Sequence, residues 1–221
     1  MSIVNLQNVT YNIKTSNGKT KTILQNVNLT VLEGEFQVIV GPSGSGKTTL
    51  LQIIATILNP TSGKRIIFGE ETNEINKDYY KTREQIGYLH QTPFFPEYIS
   101  VKEYLELQGS LSGQGLATLE AKIYQVLNDL QLGDIEKKDF IELSGGEKQR
   151  IALAAILIKK DLKLLLLDEP TGSLDIENSE KIWMLIKELT KQNLAIIAVT
   201  HDENIKNKAD KSHLLDFGTI I

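Results

Sequence analysis

Residues 41–48 read GPSGSGKT, placing glycines at 41 and 46 directly ahead of Lys47 and Thr48. That spacing satisfies G-x-x-x-x-G-K-[ST], and it stands after the strand-like QVIV and before the helix-like KTTLLQIIATIL. The chemistry follows from the residue types. Gly41, Gly44 and Gly46, with Ser43 and Ser45 between them, let successive backbone N–H groups curl around a phosphate, aided by the positive end of the next helix. Lys47 can bridge β- and γ-phosphates, the Thr48 hydroxyl can ligate Mg²⁺, and Thr49 extends the cradle. The stretch predicts a site for ATP with Mg²⁺.

Residues 164–170, LLLLDEP, supply the complementary half. Asp168 ends an apolar strand, the place from which a carboxylate can hold the metal's water shell, and Glu169 follows it as the candidate base for an attacking water. Asp-Glu-Pro alone also describes a strand-ending turn. The leucine run before it and the loop far upstream favour the catalytic reading. A third stretch, LSGGEKQR at 143–150, has the grammar of another phosphate-binding helix start, since Ser144, Gly145 and Gly146 precede an apolar run. One domain therefore carries two phosphate readers.

Several elements must position these groups. Alternating runs in the first forty residues (IVNLQNVTYNI, TILQNVNLTVL, EFQVIVG) predict strands, the first two joined by a hairpin turning at Asn17-Gly18. The helix that follows the glycine loop is expected to end at Asn59-Pro60 and Ser62-Gly63, with KRIIFG and a stretch within REQIGYLHQ as further strands. From about residue 92 to 143 the pattern turns helical (VKEYLELQGSL, ATLEAKIYQVLNDLQL). A helix from about 146 to 159, the strand LKLLLLD, the helix NSEKIWMLIKELTKQ and the strand LAIIAVT complete the chain's rhythm. Strands this apolar imply a parallel sheet covered on both faces. The fold class is α/β: a P-loop NTPase core with a mostly parallel sheet, an N-terminal antiparallel β-subdomain and an inserted helical subdomain. The whole chain, 1–221, is expected to be one domain, with the core at about 1–91 and 144–221 and the insertion at about 92–143.

Bulk properties narrow the function. The 221 residues carry a formal net charge of -4, which argues against a dedicated nucleic-acid binder. Cysteine is absent, excluding disulfides, thiolate catalysis and Cys-ligated metals, and fitting a reducing compartment. No signal-peptide pattern opens the chain. The longest apolar run, IALAAILI at 151–158, falls far short of the roughly 18–20 residues needed to span a bilayer, so a membrane role requires a membrane partner.

Taken in order, GPSGSGKTT, the Gln of GYLHQ, LSGGEKQR, LLLLDEPTGSLD and VTHD resemble the Walker A, Q-loop, signature, Walker B with D-loop, and H-loop motifs of an ABC-type ATPase. The resemblance runs from Tyr11 to the strand near Phe217. LSGGE followed by DEPTGSLD further resembles the exporter branch that handles lipoproteins, macrolides and antimicrobial peptides through separately encoded membrane subunits. It implies that Tyr11 stacks on adenine, although a strand aromatic also packs well in a core. Gln91 is expected to contact Mg²⁺ or the attacking water and to report occupancy to the membrane subunit, and His201 to bond the γ-phosphate. Asp175 is expected where two subunits meet, or as the cap of the helix that follows, or both. Ser144, Gly145 and Gly146 are expected to close over the γ-phosphate of a second subunit, which makes the ATP-bound form a homodimer. Glu147 departs from the commoner Gln of the signature, and activity is expected to survive it. His90 and His213 match no motif and read as structural or solvated. The partner implied is an integral membrane permease, with this subunit on the cytoplasmic face of the membrane and no nucleic acid involved. A soluble ABC-type ATPase in cofactor assembly or another non-transport process is the alternative. Phe94 and Phe95, between prolines, suggest either a docking surface or packing of the subdomain.

Overall fold

A computed structural model describes residues 1–74, 79–172 and 174–221. Two sheets form the frame. β1 (Ser2–Lys14), β2 (Thr20–Leu32), β4 (Ser62–Ile67) and β5 (Glu70–Glu71) make an antiparallel sheet in the order β2-β1-β4-β5. The second sheet has the order β10-β9-β3-β8-β7-β6. It contains β3 (Phe36–Val40), β6 (Ile86–Leu89), β7 (Leu164–Asp168), β8 (Ala195–Thr200), β9 (Lys211–Asp216) and β10 (Thr219–Ile220). All of its pairings are parallel except β9 with β10.

In the antiparallel sheet alternation does the expected work: Val4, Leu6, Val9, Leu24, Val27, Leu29 and Val31 are buried while neighbours face out. The register of this pair slips at four places. One slip lies between Leu6↔Leu29 and Val9↔Val27, where Asn8 and Asn26 both take φ 50°. Asparagine tolerates that left-handed backbone, and here Asn28 Oδ1 accepts the Asn8 N–H at 2.9 Å. Facing this bulge, Gly63 at φ 89° is obligatory, because a Cβ there would lie 2.3 Å from the Asn8 carbonyl oxygen.

The parallel strands are buried on both faces, and each sends alternate residues to different cores. Leu164 and Leu166 of β7 join Ile39, Ile197 and Val199 beneath helix α1 (Lys47–Ile54) and the antiparallel sheet. Leu165 and Leu167 join Val38, Val40 and Ile196 on the other face. There α5 (Gly145–Leu157) and α6 (Ile176–Leu189) cover the sheet, and α3 (Val101–Leu111) and α4 (Leu116–Asp129) extend the same core. Phe36 stacks on Trp183 of α6 with ring centroids 6.1 Å apart. Between β6 and α5 the chain is held together by Phe95, stacked at 4.3 Å on Phe140. Phe94, by contrast, is 91% exposed. Phe95 thus packs the subdomain, and Phe94 beside it stands exposed. A short helix, α2 (Tyr80–Glu84), ahead of β6, was not foreseen from the pattern. Among the described residues no helix is long and apolar enough to cross a membrane.

Helix α1 stops five residues before Asn59, earlier than its apolar pattern predicts. Thr56 adopts φ 60°, and the fully buried Arg65 takes over the freed carbonyls: Nη1 donates to Ile53 O at 2.7 Å and Leu58 O at 2.6 Å. Its other donors go to the Thr72 hydroxyl at 2.8 Å, the Thr72 carbonyl and Asn59 Oδ1 at 3.0 Å. Burial pulls its pKa down to about 10, yet the cation is kept because its donors are matched by oxygens. Replacing Arg65 by Met strands several buried carbonyls at once, and is expected to cost about 3 kcal/mol of unfolding free energy. A lowered urea midpoint with unchanged slope is the expected reading; an unshifted midpoint removes the clamp from this account.

Candidate functional site

The parallel registers bring three strand ends to one level. Val40 lies opposite Thr200, and Asp168 opposite Val199, so the chain leaves β3, β7 and β8 at the same edge. From β3 it enters the glycine loop. Gly41 cannot carry a side chain, since a Cβ would lie 2.2 Å from the Leu215 carbonyl oxygen. Gly46 turns at φ 105° into α1, whose N-terminus aims its unpaired N–H groups and positive dipole end into the loop.

A cavity of about 470 Å³ opens at this edge, lined by Ser43, Gly44, Gly46, Lys47, Thr48 and Thr49 from the loop and helix. Gln91, Asp168, Glu169 and His201 line its other side. Residues from both halves of the chain therefore converge on one volume. A larger cavity, about 710 Å³ between α2, α3 and the end of α5, contains none of them.

The side chains are held firmly. Lys47 is nearly buried, with Nζ donating to the carbonyls of Gly41 at 2.8 Å and Pro42 at 3.0 Å. Asp168 is buried, and that burial pushes its carboxyl up; the adjacent Glu169 charge adds to the push, while the Thr48 hydroxyl, His90 and Lys47 oppose it. Burial and the Asp168 charge together drive the Tyr88 phenol upward as well. Such a carboxylate gains most from a neighbouring cation. Glu169 sits at φ 51° and donates its N–H to the Val199 carbonyl at 3.0 Å, tying the ends of β7 and β8 together. Its Oε2 accepts from Thr200 Oγ1 at 3.0 Å and lies 3.0 Å from His201 Nδ1.

These residues fit a magnesium nucleotide. Thr48, Asp168 and Gln91 offer hydroxyl, carboxylate and amide oxygens, the hard donors that Mg²⁺ prefers. Ser45 Oγ is buried and has no hydrogen-bond partner among the described residues, an acceptor or donor held for something else.

Other expected site residues lie outside this cavity. Tyr11 is half-buried on β1 opposite Leu24 and packs against the core beside Ile23. Ser144 caps α5, its Oγ accepting the Glu147 N–H at 3.2 Å while Glu147 Oε2 accepts the Ser144 N–H at 2.8 Å. Glu147 therefore completes a capping box, and that backbone hydrogen bond holds its carboxyl below the usual range. Gly145 is exposed, and a Cβ there would meet open space. Gly146 follows in the first turn of α5. Asp175 caps α6, accepting the Asn178 N–H at 2.9 Å. Ser173, within GSLD, lies outside the described residues. His90 packs edge-on against Tyr88 at 4.2 Å, and His213 Nε2 pairs with Gln37 Oε1 at 2.9 Å.

Three residues escaped the sequence reading. Lys21 and Ile23 line the cavity from β2. Only the placement of β2 beside the loop puts them there, and no motif marks them. Thr200 stood in plain view in VTHD but carried no role.

Comparison with known proteins agrees with this geometry. The ABC transporter family profile matches residues 24–172. The lipoprotein-releasing system ATP-binding protein LolD of Shewanella denitrificans is 39% identical over 192 residues, covering 86% of this chain and 82% of that protein. The macrolide export ATP-binding/permease protein MacB of Campylobacter jejuni is 36% identical over 90% of this chain, which spans only 31% of that longer relative. Among solved structures, the dimeric bacterial ABC transporter cassette MJ0796 superposes with a TM-score of 0.89 at 32% identity, covering 98% of this chain and 96% of that one. The same cassette, solved as a dimer in a post-hydrolysis state with ADP and Pi, superposes equally well. A glycine loop with Lys47 and Thr48 facing two carboxylates across one cavity, and a profile match over most of the chain, lead to one conclusion: the chain belongs to the ABC transporter family.

Proposed function

We propose that this chain is the ATP-hydrolysing subunit of an exporter for lipoproteins, macrolides or antimicrobial peptides, working as an ATP-closed homodimer on a separate membrane permease. The observation that carries the reading is the division of the phosphate readers. Lys47, Thr48, Gln91, Asp168, Glu169 and His201 share one cavity, while Ser144 and Gly145 at the start of α5 are exposed and do not line it. Each chain then holds two half-sites, and two chains head to tail complete both.

In this reading the loop amides and Lys47 bind the β- and γ-phosphates. Mg²⁺ held at Thr48, Asp168 and Gln91 supplies positive charge to the phosphate oxygens. Glu169 orients a water in line with the γ-phosphorus and takes its proton as the β–γ bridging P–O bond breaks, leaving ADP and inorganic phosphate. Oε1 is the oxygen left for that water, because the protein contacts fall on Oε2 among the described residues. His201, three-quarters exposed, is free to swing from Glu169 to the γ-phosphate. The exposed Phe94 borders a groove of about 400 Å³ with Ile57, Tyr88 and Tyr104, a surface suited to an apolar segment of the permease.

Three outcomes are expected. Glu169→Gln should lower kcat for ATP by about 10²- to 10⁴-fold and accumulate an ATP-bound dimer seen by mass in solution. Turnover near wild type removes Glu169 as the base. Ser144→Arg should leave nucleotide binding to the monomer intact while abolishing that dimer; lost binding to the monomer instead contradicts the two-half-site arrangement. Purified from its own membranes in mild detergent, the chain should bring down a polytopic membrane protein, and Phe94→Asp should release it. Recovery of soluble partners only favours a soluble ATPase acting in cofactor assembly.

A further inference from the structure

We infer that Thr200 is a positioning residue for hydrolysis, its hydroxyl fixing the Glu169 carboxylate so that one oxygen stays directed at the attacking water; the inference rests on Glu169 being the base. Thr200 is the last residue of β8 and only 2% exposed. Its Oγ1 accepts the Asp202 N–H at 3.1 Å. Asp202 is itself fixed, since its side chain caps the following turn by accepting the Asn204 N–H at 2.9 Å. With a lone pair of Oγ1 committed to Asp202, the hydroxyl proton is directed at its other neighbour, Glu169 Oε2, 3.0 Å away. A chain of three bonds thus runs from the turn after β8 to the carboxylate.

Oε2 also accepts the His201 N–H over a long 3.4 Å, and its remaining contact is Nδ1 of His201, whose side chain is 74% exposed against 11% for that of Glu169. Once His201 turns to a phosphate, that bond is gone. The bond from Thr200 sits at a strand end whose backbone is locked by pairing with Val40, so it persists. Glu169 itself stands at φ 51°, a conformation that costs free energy in a residue other than glycine and holds only where its surroundings impose it. Leaving its side chain to rotate freely would undo the placement that this backbone secures.

Valine matches threonine in shape and lacks the hydroxyl. Thr200→Val is expected to lower kcat for ATP by about 10- to 100-fold, the scale of a misplaced catalytic group, with KM changed less than about twofold. Thr200→Ser, which keeps the hydroxyl, is expected to retain at least about a third of wild-type kcat. In single-turnover measurements on a Glu169→Gln background, adding Thr200→Val should change the residual rate less than about twofold, because the group it positions is already disabled. Thr200→Ala carries the same expectations should the valine variant not fold. The inference is overturned if Thr200→Val keeps its kcat, if serine is as slow as valine, or if the loss appears in KM. It is also overturned if the loss is undiminished on the Glu169→Gln background. Wild-type turnover by Glu169→Gln alone overturns the base assignment and this inference together, whereas an inactive Glu169→Gln beside a fully active Thr200→Val overturns only the role of Thr200.

Discussion

The site depends on parallel strand register. Val40 opposite Thr200 and Asp168 opposite Val199 make three strands end together, so the phosphate loop, the two carboxylates and the Thr200-His201 corner emerge at one edge. Side chains alternate along a strand, so a slip of one residue at β7 would turn Asp168 to the opposite face and exchange the leucines between the two cores. The hydrophobic patterning makes that slip expensive. Leu164 and Leu166 belong to one core and Leu165 and Leu167 to the other, and both cores are filled. Burial of leucines outside the cavity thereby fixes the level at which Asp168 and Glu169 face the glycine loop.

Helix α1 is the second consequence of that burial. It lies between the antiparallel sheet and the parallel one, and Leu50, Leu51, Ile53 and Ile54 are all inaccessible. A helix packed between two sheets has little freedom to shift, which holds its N-terminus against the glycine loop. Its far end is held differently, through Arg65, whose guanidinium gathers the carbonyls of Ile53 and Leu58. The helix is thus gripped by apolar packing along its length and by charge-assisted hydrogen bonds at its tail. At the other end of the chemistry, the hydrogen bonds from Asp202 through Thr200 to Glu169 give a carboxylate near the surface the order of a buried one.

Much of this was legible in the sequence, for identifiable reasons. Glycine spacing before Lys47-Thr48 has few uses, and unbroken apolar runs at 164–167 and 195–199 read as strands covered on both faces. The division between Phe94 and Phe95 was not legible, because adjacent aromatics carry no mark of which one meets Phe140. The early end of α1 was hidden too: the apolar pattern continues through Ile57 and Leu58, and only a distant arginine makes the turn at Thr56 affordable. Lys21 and Ile23 reach the cavity through the position of β2 beside the loop, a relation between segments that local pattern does not encode.

The sequence alone laid out the chemistry on offer: a candidate phosphate cradle, hard oxygen donors, a carboxylate beside them proposed as base, and a second helix start at Ser144–Gly146. Residue type and spacing settle those matters because the backbone geometry of glycine, the charge of lysine and the basicity of a carboxylate are local properties. Tertiary structure decided which groups share a volume. It placed Gln91, Asp168, Glu169 and His201 opposite Lys47, left Ser144 and Gly145 facing solvent, made Glu147 the partner of its own helix cap, and brought the Thr200 hydroxyl to Glu169. Those outcomes rest on strand register and on filling two cores at once, which no segment of the chain can specify by itself.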